Sequence, residues 1–155
     1  MKKRLLLAAA VVLLVAGLVV PLAASHGRDQ RVAIGVRLDF TSSTHAVGTF
    51  AACCAITDSG TASADVTSFV PKGDEARFEA TNTFVGSKGS FTLKLRGVTG
   101  PLGSPVHVAR ARWSVIGGTG AYEDLEGKGR LKAVTDQNTG ALTAIDTGRV
   151  RGADD

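Results

Sequence analysis

The sequence predicts an all-β protein, an eight-stranded antiparallel barrel, and three observations carry that reading. Beyond Arg31, apolar residues recur with period two almost to the C-terminus. Turn residues interrupt them at hairpin spacing, and no segment longer than one turn shows helical periodicity. Eight antiparallel strands with hairpin-length connections can close on themselves, which leaves no exposed edge and an interior wide enough for side chains or one small ligand. A seven- or eight-stranded sandwich is the alternative, but it would usually show a longer Greek-key crossover.

The strands follow in order at roughly 32–40, 45–56, 61–70, 76–85, 89–98, 106–116, 128–135 and 142–151. In the first, Val32, Ile34, Val36, Leu38 and Phe40 alternate with Arg37 and Asp39. In the second, Phe50, Ala52, Cys54 and Ile56 share one face. In the fourth, Phe78, Ala80, Asn82 and Phe84 alternate with Arg77, Glu79, Thr81 and Thr83. In the fifth, Phe91, Leu93 and Leu95 alternate with Thr92, Lys94 and Arg96. In the sixth, His107, Ala109, Ala111, Trp113 and Val115 oppose Arg110, Arg112 and Ser114. Side chains of successive strand residues point to opposite faces, so each alternation separates an inner from an outer surface. Turn signals separate the strands: Asp58-Ser-Gly60, Pro71-Lys-Gly73-Asp74, Gly86-Ser-Lys-Gly89, Gly100-Pro-Leu-Gly103-Ser-Pro105 and Asp136-Gln-Asn138-Thr-Gly140.

The stretch from Trp113 through Gly117-Gly118-Thr119-Gly120 and Tyr122 to Gly127-Lys-Gly129 reads as a strand, a glycine-dense turn and a second Gly-bounded strand. A phosphate cradle would need backbone amides at the start of a long helix. The few residues between Tyr122 and Gly127 are too short for a crossover helix, and no Lys-Ser/Thr follows. The glycines are instead expected to supply positive φ and close backbone approach at a barrel corner.

The N-terminus has the form of an export signal. Lys2-Lys3-Arg4 is a cationic lead, Leu5 to Val20 is an unbroken apolar run, and Pro21-Leu-Ala23-Ala24-Ser25 supplies a helix breaker and small residues. The expected organisation is a signal peptide at 1–25, a flexible lead at 26–31, a barrel domain at 32–151 and a frayed end at 152–155; an uncleaved anchor is the alternative. Removing the three leader cations lowers Lys+Arg from 18 to 15 against 14 Asp+Glu, a net of +1. With charges that alternate along strands and aromatic residues at 5% of the chain, a nucleic-acid partner is not expected. Scarce Trp and Tyr likewise argue against a membrane-spanning barrel.

The glycine series Gly117-Gly-Thr-Gly120, then Tyr122 and Gly127-x-Gly129, follows a Trp-containing strand and an upstream Gly86-x-x-Gly-Ser-Phe91. Together these resemble the allene oxide cyclase and dirigent-like barrels, which are calycin-like in architecture, and most of all their exported bacterial members. The resemblance spans roughly Ala46 to Val134 and rests on scaffold residues. It implies an eight-stranded barrel whose lumen is able to hold an apolar molecule, often assembled as dimers or trimers. The plant members close a reactive fatty-acid-derived epoxide or steer radical coupling, largely by confining the substrate, and that activity is not carried over to this chain. None of the family's acidic catalytic positions maps onto a residue here.

Chemically capable residues are few. His26, His45 and His107 are too scattered for a metal-ligand spacing, so neither metal nor cofactor is expected. Asp74-Glu75 and Glu123-Asp124 read as solvated turn charges, and no serine sits in a nucleophile elbow. Cys53 and Cys54 are adjacent. One reading puts Cys54 in the core beside Phe50 and Ile56, with Cys53 on the other face; a bridge between molecules through Cys53, and a vicinal disulfide or reactive thiol, are the others. The inward polar exceptions are Asn82 and His107, joined by Trp113 on the same face and Tyr122 near one mouth. These four are the candidate lumen contacts. Three functions fit: an exported barrel that binds a small apolar molecule, a confining cyclase, isomerase or lyase, and a solid-cored protein acting through its outer surface.

Overall fold

A computed structural model describes residues 28–152. They form a closed antiparallel barrel in which the eight strands pair in chain order and the last pairs with the first. The strands are β1 (Gln30–Phe40), β2 (His45–Cys54), β3 (Asp58–Lys72), β4 (Glu75–Gly86), β5 (Gly89–Gly100), β6 (Val106–Gly120), β7 (Glu126–Asp136) and β8 (Ala141–Arg151). Period-two alternation is the cause: a closed sheet has one inner and one outer face, and each strand places its apolar set inside. The expected leader lies outside the described residues. β1 begins at Gln30, so the last two residues of the expected lead belong to the sheet.

No helix among the described residues is long and apolar enough to cross a membrane. The outer wall mixes charged and polar side chains with exposed Val47, Val85, Val98, Val134 and Ile145, and the interior is mainly apolar.

The glycine series sits differently from its expected place. Gly117 to Gly120 continue β6 and pair with Gly89 to Thr92 of β5, after a bulge at Ile116. The turn itself is Ala121–Asp124. The bulge adds one residue to β6 and bends it over the end of the barrel. Gly120 has φ +62° there, and a Cβ on Gly118 would overlap the backbone carbonyl of Tyr122. Gly117, by contrast, has open space around its Cα. The close approach folds Tyr122 back into the interior, where it is 1% exposed.

Hairpin alternation gives the barrel two unlike ends. The β2–β3, β4–β5 and β6–β7 connections cap one end, and the other four hairpins rim the opposite one. Under the capped end Phe50, Phe84, Phe91 and Tyr122 pack in one cluster, with ring centroids 4.8–6.0 Å apart for Phe50–Phe84, Phe50–Phe91, Phe84–Phe91 and Phe91–Tyr122. Ile34, Ile56, Leu93, Leu125 and Val150 complete this filled half.

Candidate functional site: a one-ended lumen

The rimmed half is hollow. A cavity of about 600 Å³ opens at that end and is walled by small inward residues, among them Ala64, Ala80, Ala109, Ala133 and Ala144. Val36, Leu38, Leu95, Leu131 and Leu142 add aliphatic surface, and Phe40, Phe69 and Phe78 stand toward the mouth. Volume and character both match a site for a small apolar ligand. Alanine makes the space: Ala64, Ala80, Ala109, Ala133 and Ala144 are inward here, where the capped half holds the rings of Phe50, Phe84, Phe91 and Tyr122.

Asn82 and His107 both line this cavity. His107 Nε2 is buried with no hydrogen-bond partner in the protein. Trp113 and Tyr122, expected beside them, do not reach the cavity. Trp113 is 3% exposed and its indole lies against Gly129 and Gly148, where a Cβ on either glycine would overlap the ring. Two inward glycines on β7 and β8 thus make the slot that the largest side chain of β6 fills, and Trp113 separates hollow from filled. Tyr122 is at the capped end. Its hydroxyl donates to Asp58 Oδ2 at 2.9 Å.

Asp58 is a latch for that cap. Its carboxylate also accepts from the Ser59, Ser87 and Lys88 amides and the Ser87 hydroxyl, so one side chain at the start of β3 ties the β4–β5 turn and the β6–β7 turn together. Partial burial would raise its pKa, but the hydrogen bonds from Tyr122, Lys88, Ser59 and Ser87 outweigh it and hold the carboxyl down at about 2. Burial and the Asp58 charge together push Tyr122 well above the ordinary phenol range.

The sequence reading missed Asp146. It is fully buried on the inner face of β8, two residues from the cavity-lining Ala144 and in register with Leu131 on β7 and Ile34 on β1. Neither carboxyl oxygen has a hydrogen-bond partner in the protein, and nor does Trp113 Nε1. Burial pushes the Asp146 carboxyl up to about 7. The sequence of β8 carries its signal, because Leu142, Ala144, Asp146, Gly148 and Val150 share one parity.

The cysteines differ from the reading that puts Cys54 in the core. Both are exposed, and Cys54 is outside the core. Cys54, at the end of β2, has φ +82°, which turns its side chain to the same side as Cys53 and brings the two Sγ atoms to 2.7 Å. No group of three or more His, Cys, Asp and Glu among the described residues is arranged to hold a metal. Asp74-Glu75 and Glu123-Asp124 are exposed at turns. Set against protein-family models, curated proteins and solved structures, the chain has no match.

Proposed function

We propose that this is an exported barrel that holds a small apolar molecule in its lumen. The observation that carries the reading is the one-ended cavity of about 600 Å³, with aliphatic and aromatic walls, hydroxyl and amide side chains such as Ser42, Thr44, Thr135 and Gln137 in its lining, and Asn82 and His107 to orient a guest. A retained apolar body would be shielded from water by the walls, and its polar end would meet His107 Nε2, which has no partner within the protein. The cationic and apolar leader supports export, and the family resemblance supports a lumenal guest.

The confining cyclase, isomerase or lyase is the second reading, and Asp146 is the observation that favours it. A carboxyl that burial keeps protonated near neutral pH is a proton source. It is nevertheless sealed from the lumen, with no exposed surface. Binding therefore needs fewer rearrangements than catalysis does.

The test uses protein beginning at His26, since barrel closure lies wholly within Gln30–Arg151. Calorimetric titration with long-chain fatty acids and with small aromatic compounds should give saturable binding for one class. Ala109→Trp, which fills the lumen beside His107, should abolish it while circular dichroism stays that of a barrel. If neither class binds, the lumenal reading is wrong.

A further inference from the structure

Alternation along a strand says nothing about which charges meet across strands. The register settles that, and it gathers cations on one half of the outer wall. Arg112 on β6 is directly opposite Arg96 on β5 and Arg130 on β7. One pleat toward the capped end, Arg149 on β8 is opposite Lys128 on β7 and Arg31 on β1. One pleat toward the mouth, Arg110 faces Lys132. Lys94 on β5 completes the group on the Lys128 side. All are exposed except Lys94, which is half-buried.

Like charges directly opposite on neighbouring strands destabilise a sheet. Here few carboxylates offset them: among the described residues, only Glu79 on Arg96 and Glu126 on Arg151 form ion pairs on this side. The other cations of the three rows have no carboxylate partner among the described residues. The net +1 of the chain beyond the leader hides this, because Asp39, Asp58, Asp65, Asp74, Glu75, Glu123, Asp124 and Asp136 lie on β1–β4 or at strand ends and turns, and Asp146 is buried inside.

We infer that the outer face of β5–β8, with Arg31, is a docking surface for an anionic phospholipid bilayer. Three features select that occupant. Arg110, Arg112, Lys128, Arg130, Lys132 and Arg149 form a grid on the three adjacent strands β6–β8, an arc that one surface can meet, and a grid matches a plane of phosphates better than a single strand of polymer. A hollow bordered by Arg31, Arg130 and Arg149 opens on it, but no aromatic residue projects from it, so bases or sugar rings have nothing to stack upon. Toward the mouth the rows give way to exposed Val98, Val134 and Ile145, aliphatic side chains that can enter the headgroup layer while the cations hold phosphates. The inference stands whether or not the lumen holds a guest.

Protein beginning at His26 is sedimented with vesicles of phosphatidylcholine containing phosphatidylglycerol, and with phosphatidylcholine alone. Binding to the anionic vesicles, weakening as salt is added, is expected. The pair Arg112→Glu and Arg149→Glu, each at the centre of a row, should weaken it by about tenfold or more. Lys72→Glu with Arg77→Glu makes the same change in net charge beside the β3–β4 hairpin and should leave it within about threefold. Because each row-centre glutamate would stand between two cations, that variant should unfold at an equal or higher denaturant concentration. Equal losses in the two variants, or equal binding to neutral vesicles, would overturn the proposal. So would binding to soluble heparin without binding to vesicles, or self-association through this face in place of vesicle binding.

Discussion

A single side chain, Asp146, sets the most unusual electrostatic condition in the barrel. Its carboxyl is buried without hydrogen bonds, and burial alone moves its pKa, from an ordinary 3.8 up to about 7. The folded state therefore holds a proton that the unfolded chain releases at about pH 4. Stability contributed by keeping Asp146 neutral is complete below pH 4, declines as pH rises toward 7, and is gone above it. The difference of about three pH units corresponds to roughly 4 kcal/mol. Asp146→Asn should match the parent protein at pH 4 and exceed it at pH 8, so that its denaturant midpoint no longer falls across that interval. A parallel fall in both proteins would place the titration elsewhere. At the capped end the sign reverses. Asp58 is held down at about 2, so its latch is intact above pH 4 and fails only in strong acid. Tyr122→Phe removes one donor to that carboxylate and should cost about 1–3 kcal/mol at pH 7.

Among the elements, the β6–β7 corner shows how far sequence carries. Period two identified every strand, and the glycine density marked the corner. The bulge at Ile116, which turns an expected glycine turn into an extension of β6, was not legible, since a bulge is a mismatch between two strands and belongs to neither alone. Nor did the sequence separate the glycines by role. The structure does: Gly118 lies against the Tyr122 carbonyl and Gly120 occupies positive φ, whereas Gly117 is open. Gly118→Ala should therefore cost well over about 1 kcal/mol, through displacement of Tyr122 from the aromatic cluster, while Gly117→Ala stays within about 0.5 kcal/mol. Thermal or denaturant midpoints of the two variants compare them directly, and equal effects would mean that the corner is not held by close approach. Cys54 illustrates the same limit. Parity placed it in the core, but a left-handed residue at the strand end breaks the parity and exposes both thiols.

For the whole molecule, closure was legible and its unequal filling was not. Inward residues were identified strand by strand, but whether Ala80 faces another alanine or a phenylalanine depends on register, as does the gathering of arginines on one wall. Register brings Ala62 of β3 opposite Phe84, within the filled half, and places Ala133 of β7 opposite Ala144 and Ala109 in the hollow one. The two alanines are equally inward, at 4% and 3% exposure, so composition and burial do not distinguish them. Packing does. A leucine at Ala62 has to displace aromatic rings already in contact, which typically costs about 1–3 kcal/mol in a close-packed interior. A leucine at Ala133 enters open lumen, buries its added methylenes and should change stability by less than about 1 kcal/mol. The same Ala133→Leu change narrows the lumen, so the guest identified by titration should bind more weakly, while Ala62→Leu should leave binding largely intact in the fraction that folds. Similar destabilisation by both leucines, with no change in binding, would show that the mouth half closes on itself in solution and that function belongs to the outer wall.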